Sequence, residues 1–192
     1  DLIWSRYIHE YLMGRRQEMF DLMAWNADAT RMPYRMHSEY LRRIFLGNEL
    51  AEGKYRLGGA PVTVSAVDVP IFCVSTTSDH VAPWESVYKL HLLADTQITF
   101  VLTNGGHNAG IVSEPGHEGR EYRIRTTEAG ESYLSPEAWE AAADEHSGSW
   151  WPALVDWLRE RSSGETAPPA MGTRRGQYRP LADAPGEYVF QR

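Results

Sequence analysis

The sequence predicts an α/β protein with a mostly parallel sheet and flanking helices, on three observations. Val69-Pro70-Ile71-Phe72-Cys73-Val74 and Ile98-Thr99-Phe100-Val101-Leu102 are continuous apolar runs, the pattern of strands covered on both faces. Between them Pro83 opens a helical stretch through Leu93, a placement proline tolerates in a first helical turn. Each run ends in a short polar loop, Ser75-Thr76-Thr77-Ser78-Asp79-His80 and Thr103-Asn104-Gly105-Gly106-His107. Strand, helix and strand joined this closely form a βαβ unit. A right-handed crossover is therefore expected, with both strand ends on one edge.

The remaining elements follow in chain order. Ile3/Trp4, Tyr7/Ile8 and Tyr11/Leu12 form a helical stripe that Gly14 is placed to end. Residues 20–25 are short and apolar and break into Asn26-Ala27-Asp28-Ala29-Thr30, which reads as a buried strand entering a polar loop that ends at Pro33. A second helix follows, with Met36, Tyr40, Ile44 and Asn48 on one face and Leu41 and Phe45 beside them. Gly58-Gly59-Ala60-Pro61, between Val- and Thr-bearing runs, predicts a hairpin. After His107 the chain reads as loop to about Tyr133. Ser135-Pro136-Glu137 then starts a short helix around Trp139, and Trp150 to Arg161 is an amphipathic helix. These elements place residues 1–161 in one folded piece and residues 162–192 in an extended surface tail.

Composition narrows the function. The 192 residues carry 26 acidic and 19 basic side chains, a formal charge of −7, which argues against a nucleic-acid partner. No apolar run approaches the roughly 18 residues that span a bilayer, so no transmembrane segment is expected. A single cysteine, Cys73, makes no internal disulfide and fits a reducing, cytoplasmic setting. The chain starts at Asp1 without an initiator Met, as a fragment would. Seven tryptophans serve packing or an apolar contact surface.

In open α/β sheets, ligands and reactive groups gather at the carboxyl ends of strands. Asp79 follows the first apolar strand and His107 the second, 28 residues apart, the length a crossover needs to set them side by side. An Asp that accepts from one imidazole nitrogen fixes the tautomer and leaves the other nitrogen as a general base. Acid followed by His is also the chain order of the last two triad members in α/β-hydrolases. The plainer alternatives are a helix-capping Asp and a turn His. No Gly-x-Ser-x-Gly or Gly-x-Cys-x-Gly elbow occurs in the chain, and Ser113 and Ser149 lack a strand–turn–helix setting. Cys73, inside an apolar strand, reads as a small core hydrophobe rather than a nucleophile. His80, His107, His117 and Asp79 have no metal-ligand spacing, so no metal is expected, and no glycine-rich loop supports a nucleotide or other cofactor.

Several runs together resemble one family. Residues 20–33, Asp79-His80-Val81-Ala82-Pro83-Trp84, Gly105-Gly106-His107-Asn108-Ala109-Gly110 and Gly148-Ser149-Trp150-Trp151-Pro152 are similar to the C-terminal half of polyhydroxyalkanoate synthases. Tyr178-Arg179-Pro180-Leu181 and Ala184-Pro185-Gly186-Glu187-Tyr188-Val189 resemble the end of the class I enzymes. The resemblance implies the C-terminal portion of an α/β-hydrolase fold, incomplete without an upstream half. It implies an acyltransferase that polymerises (R)-3-hydroxyacyl-CoA to polyester and releases CoA. Asp79 and His107 match the Asp and His of the family's Cys-His-Asp triad, whose Cys elbow falls upstream of Asp1.

The resemblance further implies that His80, Asn108 and Ala109 line the substrate path, with Ala109 near the acyl chain. It implies a homodimer in the full-length enzyme, work at the surface of cytoplasmic polyester granules with granule-associated proteins as further partners, and inactivity of this chain alone. Two alternatives stand beside it. One is a fragment of another α/β-hydrolase, such as a polymer depolymerase or thioesterase. The other is a non-catalytic, truncated interaction module.

Overall fold

The structure is a computed structural model that describes Trp4 and residues 7–15, 31–173 and 176–183. The chain divides into two compact units, Ser38–Thr166 and the pair of segments Asp1–His37 and Ala167–Arg192. In the two-segment unit the expected first helix is a π-helical turn, Tyr7–Leu12. Trp4, Tyr7 and Tyr11 stack in succession, with ring centroids 5.7 and 5.1 Å apart. Gly14 ends it at φ 64°, a conformation glycine adopts without a Cβ penalty. The expected strand over residues 20–25, its loop, and the closing motif at Ala184 to Val189 lie outside the described residues. The described tail residues are exposed.

Helix α1 (Tyr34–Glu39) is followed by a second π-helical turn, Tyr40–Leu46, which replaces the single regular helix expected there; Asn48 lies beyond its end. Strands β1 (Arg56–Leu57) and β2 (Ala60–Pro61) form the expected hairpin, with Leu57 opposite Ala60. Gly58 and Gly59, at φ 56° and 85°, supply the two left-handed residues that a two-residue hairpin turn demands.

The main sheet contains β3 (Ile71–Thr76), β4 (Ile98–Thr103), β5 (Glu121–Thr127) and β6 (Asp144–Ser147), in that spatial order. β3 and β4 are parallel and joined through α2 (Trp84–Tyr88) and α3 (Leu90–Leu93), as the apolar runs predict. The rest departs from expectation. β4–β5 and β5–β6 are antiparallel, so the described sheet is mixed rather than mostly parallel, and the stretch expected to be loop contains a seven-residue strand. The cause is charge. β5 alternates Tyr122, Ile124 and Thr126 with Glu121, Arg123 and Arg125, and the arginines are neutralised by Glu145 and Glu131 at 2.6 and 2.5 Å. β6 is an exposed, polar edge strand with no apolar signal at all.

Each face of the sheet is covered. On one face Ile71, Cys73, Ile98, Phe100 and Leu102 pack with Trp84, Tyr88 and Leu90 and with Trp139 of α4 (Pro136–Ala142). Trp139 and Tyr88 meet Phe100 edge-on at 5.0 and 5.3 Å, pairs worth about 0.5–1.5 kcal/mol beyond their buried area. Ser135 caps α4 by accepting from the Ala138 N–H, with Pro136 in the first turn. On the other face Phe72 lies 5.6 Å from Trp157 of α5 (Trp151–Glu160) and 6.4 Å from Trp150 just before it. Among the described residues no helix is long and apolar enough to cross a membrane.

Candidate functional site

The site sits where β3 and β4 end, wholly within the Ser38–Thr166 unit. Thr76 and Thr103 are register partners, so the two strands stop at one level. Pairing then continues into the loops. The Thr77 N–H donates to the Thr103 carbonyl at 2.9 Å and the Ser78 N–H to the Gly105 carbonyl at 3.1 Å. Asp79 is the next residue on one loop, and the other turns back at Gly105, φ 103°, to present His107.

Asp79 and His107 meet. Nδ1 of His107 lies 2.8 Å from Oδ2 of Asp79, while Oδ1 accepts from the Val81 and Ala82 N–H groups, both at 2.8 Å. Asp79 therefore does the turn-capping job and the histidine-orienting job together, one oxygen to each. Its side chain is 8% exposed and that of His107 47%. The N–H of Ala82 first, then His107 and the N–H of Val81, pull the Asp79 carboxyl down to about 2 against the opposing effect of desolvation. An ionised carboxylate only accepts, so Nδ1 of His107 carries the proton. In the neutral ring this leaves a lone pair on Nε2, and among the described residues nothing hydrogen-bonds that atom. Such an arrangement has the geometry a general base requires, an imidazole oriented at Nδ1 with Nε2 open.

The flanking residues share these loops. His80 and Ala109 are exposed and Asn108 half-buried. The Asn108 carbonyl accepts from the Ile111 and Val112 N–H groups at 3.2 and 3.0 Å, making a tight turn directly after His107. Gly110 closes that turn with its N–H on the Gly106 carbonyl at 3.0 Å. A Cβ there would stand 2.5 Å from Cγ2 of Thr76 and 2.8 Å from the Asn104 carbonyl oxygen, so only glycine fits.

Cys73 does not join the site. It lies three residues back from the end of β3, roughly 10 Å along the strand, on the face packed against the core cluster. Burial pushes its thiol up to about 11, the opposite of what a nucleophilic thiolate needs. Ser149 and Ser113 are bonded to each other, Oγ of Ser149 donating to the Ser113 carbonyl, away from any strand–turn–helix elbow. Among the described residues no group of three or more His, Cys, Asp or Glu side chains is placed to hold a metal ion.

Sequence reasoning missed one set of contacts. Beyond His107 the loop is gripped from outside: Arg120 Nη2 donates to the Ala109 carbonyl at 2.6 Å, Trp150 Nε1 to that of Gly110 at 3.2 Å, and Trp151 Nε1 to that of Ile111 at 3.0 Å. The Ser-Trp-Trp run was legible as a motif; that its donors reach backbone carbonyls was not, because a carbonyl acceptor leaves no mark on the sequence.

No protein-family model matches the chain. Among curated proteins it is similar to the poly(3-hydroxyalkanoate) polymerase of Methylorubrum extorquens, 42% identical over 189 residues, which is 98% of this chain and 30% of the relative. It is also similar to the poly(3-hydroxyalkanoate) polymerase subunit PhaC of Cupriavidus necator, 37% identical over 190 residues, covering 98% of this chain and 31% of that one. Poly(3-hydroxyalkanoate) polymerase 2 of Ectopseudomonas oleovorans is 34% identical over 192 residues, 100% of this chain and 33% of its own length. The resemblance to polyhydroxyalkanoate synthases thus holds along nearly the whole chain, which spans about 30% of the length of the relatives it matches.

Proposed function

We propose that the chain is the C-terminal catalytic segment of a polyhydroxyalkanoate synthase of the α/β-hydrolase type, supplying His107 as general base and Asp79 as its orienting carboxylate. The observation that carries this reading is the 2.8 Å contact between Nδ1 of His107 and Oδ2 of Asp79, with Nε2 left open. Similarity to named polymerases supports the substrate class, a (R)-3-hydroxyacyl-CoA thioester.

In this reading a cysteine thiol from the rest of the enzyme gives its proton to Nε2 of His107, and its sulfur attacks the thioester carbonyl. The carbon–sulfur bond to CoA breaks, the proton passes from His107 to the departing CoA thiolate, and the acyl group is left on the enzyme thiol. For chain growth Nε2 takes the proton of a 3-hydroxyl, whose oxygen attacks an enzyme-bound thioester carbonyl; the carbon–sulfur bond to the enzyme breaks as the ester forms, and the proton passes from His107 to the departing cysteine thiolate. Asp79 acts through the ring. With one oxygen held by two backbone N–H groups and a carboxyl near 2, it is a weak base suited to stabilising imidazolium rather than to taking the hydroxyl proton itself. His80, Asn108 and Ala109, on the same loops, line the approach of the acyl group. Lacking a thiol at the dyad, the chain alone is inactive. The complete enzyme is a homodimer working at a polyester granule surface.

Product analysis tests the reading. The chain is joined to a synthase N-terminal segment carrying the Cys elbow and given (R)-3-hydroxybutyryl-CoA. Polyester forming in step with free CoA is the expected result. Stoichiometric free 3-hydroxybutyrate without polymer would replace the synthase by a thioesterase-like hydrolase.

A further inference from the structure

The loop that carries His107 has three successive carbonyls, those of Ala109, Gly110 and Ile111, that are taken by side chains from two distant segments. Arg120, just before β5, holds Ala109; Trp150 and Trp151, at the start of α5, hold Gly110 and Ile111. Ser149 extends the row to the Ser113 carbonyl with Oγ, which also accepts the Trp151 N–H at 3.1 Å and so fixes the start of α5. The two grips are coupled, because the Arg120 carbonyl accepts the Gly148 N–H at 2.6 Å, immediately before the Ser-Trp-Trp run. Arg120 also packs on the other end of the loop: a Cβ on Gly105 would lie 2.8 Å from its Nη1. His107 sits between these anchored points with no backbone contact of its own in the clamp.

We infer that Arg120, Trp150 and Trp151 are positioning residues of the dyad: they hold the His107 loop by its carbonyls and so set the imidazole against Asp79. This rests on the dyad reading proposed above. The physical need is plain. His107 is half-exposed on a glycine-flanked loop, and its one recorded side-chain partner is Asp79. A rigid frame must come from elsewhere, and displacement of a catalytic group by about 1 Å is enough to cost on the order of 100-fold in rate.

The test separates clamp from packing. Trp150→Phe keeps a ring against Phe72 and removes the N–H donor; Arg120→Gln removes the other grip outside the aromatic core, and carries the test should Trp150→Phe fail to fold. Trp157→Phe is the control, since Trp157 packs on the same Phe72 ring and its Nε1 donates to nothing among the described residues. Two readouts are taken on the joined protein. The first is the rate of His107 carbethoxylation at neutral pH, read by peptide mass spectrometry, which needs no turnover. In Trp150→Phe and Arg120→Gln it should move toward the rate of Asp79→Asn and in Trp157→Phe stay at wild type. The second is steady-state kinetics, where kcat should fall roughly 10- to 100-fold with KM within about twofold. Unchanged labelling in both clamp variants, or an equal change in Trp157→Phe, overturns the inference while leaving the synthase reading standing. An absence of polymerisation in the wild-type joined protein overturns that reading while the labelling still decides the clamp.

Discussion

Thr76 and Thr103 are register partners at the ends of the only parallel strand pair in the described sheet, and each is followed within four residues by one member of the dyad. The consequence is geometric. Two strands that stop level, with their next N–H and carbonyl groups still paired, deliver Asp79 and His107 to facing positions with little freedom left in either loop. The βαβ unit thus does most of the work of building the site, and the remaining freedom lies in the His107 loop.

Gly110→Ala should disturb that loop directly. The added methyl would overlap Thr76 and the Asn104 carbonyl, both fixed by the sheet, so the loop has to move. A stability loss of about 1–3 kcal/mol in urea unfolding is expected, typical of overpacking at a buried site. A variant as stable as wild type would show that the turn relaxes freely.

The Asp79 carboxyl gives a pH dependence with a defined sign. Its carboxyl is lowered from 3.8 to about 2, so its contribution is fully present above its ordinary range and is lost as pH falls through about 2. Between about pH 4 and pH 2 the wild type should lose stability faster than Asp79→Asn. Parallel acid-unfolding curves for the two would contradict the hydrogen-bonding account.

Cys73 should behave as core. Its thiol, pushed up to about 11 by burial, should resist iodoacetamide at pH 8 in the folded chain and react promptly in denaturant. Cys73→Ala in the joined enzyme should cost about 1 kcal/mol of stability and leave turnover unchanged. Turnover that vanishes with this substitution would return Cys73 to the site.

β3 is the outer strand of the described sheet, with its second edge unpaired among the described residues. Such an edge is a template for pairing with another chain. The chain alone should self-associate in sedimentation, and joining it to the N-terminal segment should relieve this. A monodisperse monomer of the chain alone would contradict the expectation.

What the sequence shows and hides follows from which groups do the work. β3 and β4 are legible because burial on both faces demands continuous apolar runs, and Asp79 and His107 because they stand at the ends of those runs. β5 is hidden because Arg123 and Arg125 occupy positions an apolar residue would mark, their charge cancelled by Glu145 on the neighbouring strand and by Glu131 just past the end of β5. β6 is hidden because an edge strand of Asp144-Glu145-His146-Ser147 looks like loop. Ser135 and Pro136 mark α4 plainly, since a cap is local chemistry. Arg120 gives no sign, for its partner is the backbone of Ala109.

The most direct test of the dyad is CoA release from (R)-3-hydroxybutyryl-CoA by the joined enzyme, with His107→Ala and Asp79→Asn run beside wild type. Turnover should fall about 10³- to 10⁴-fold in each, because loss of the base and loss of its tautomer control both strand the thiol proton. Either variant retaining wild-type turnover would contradict the assignment of these two residues.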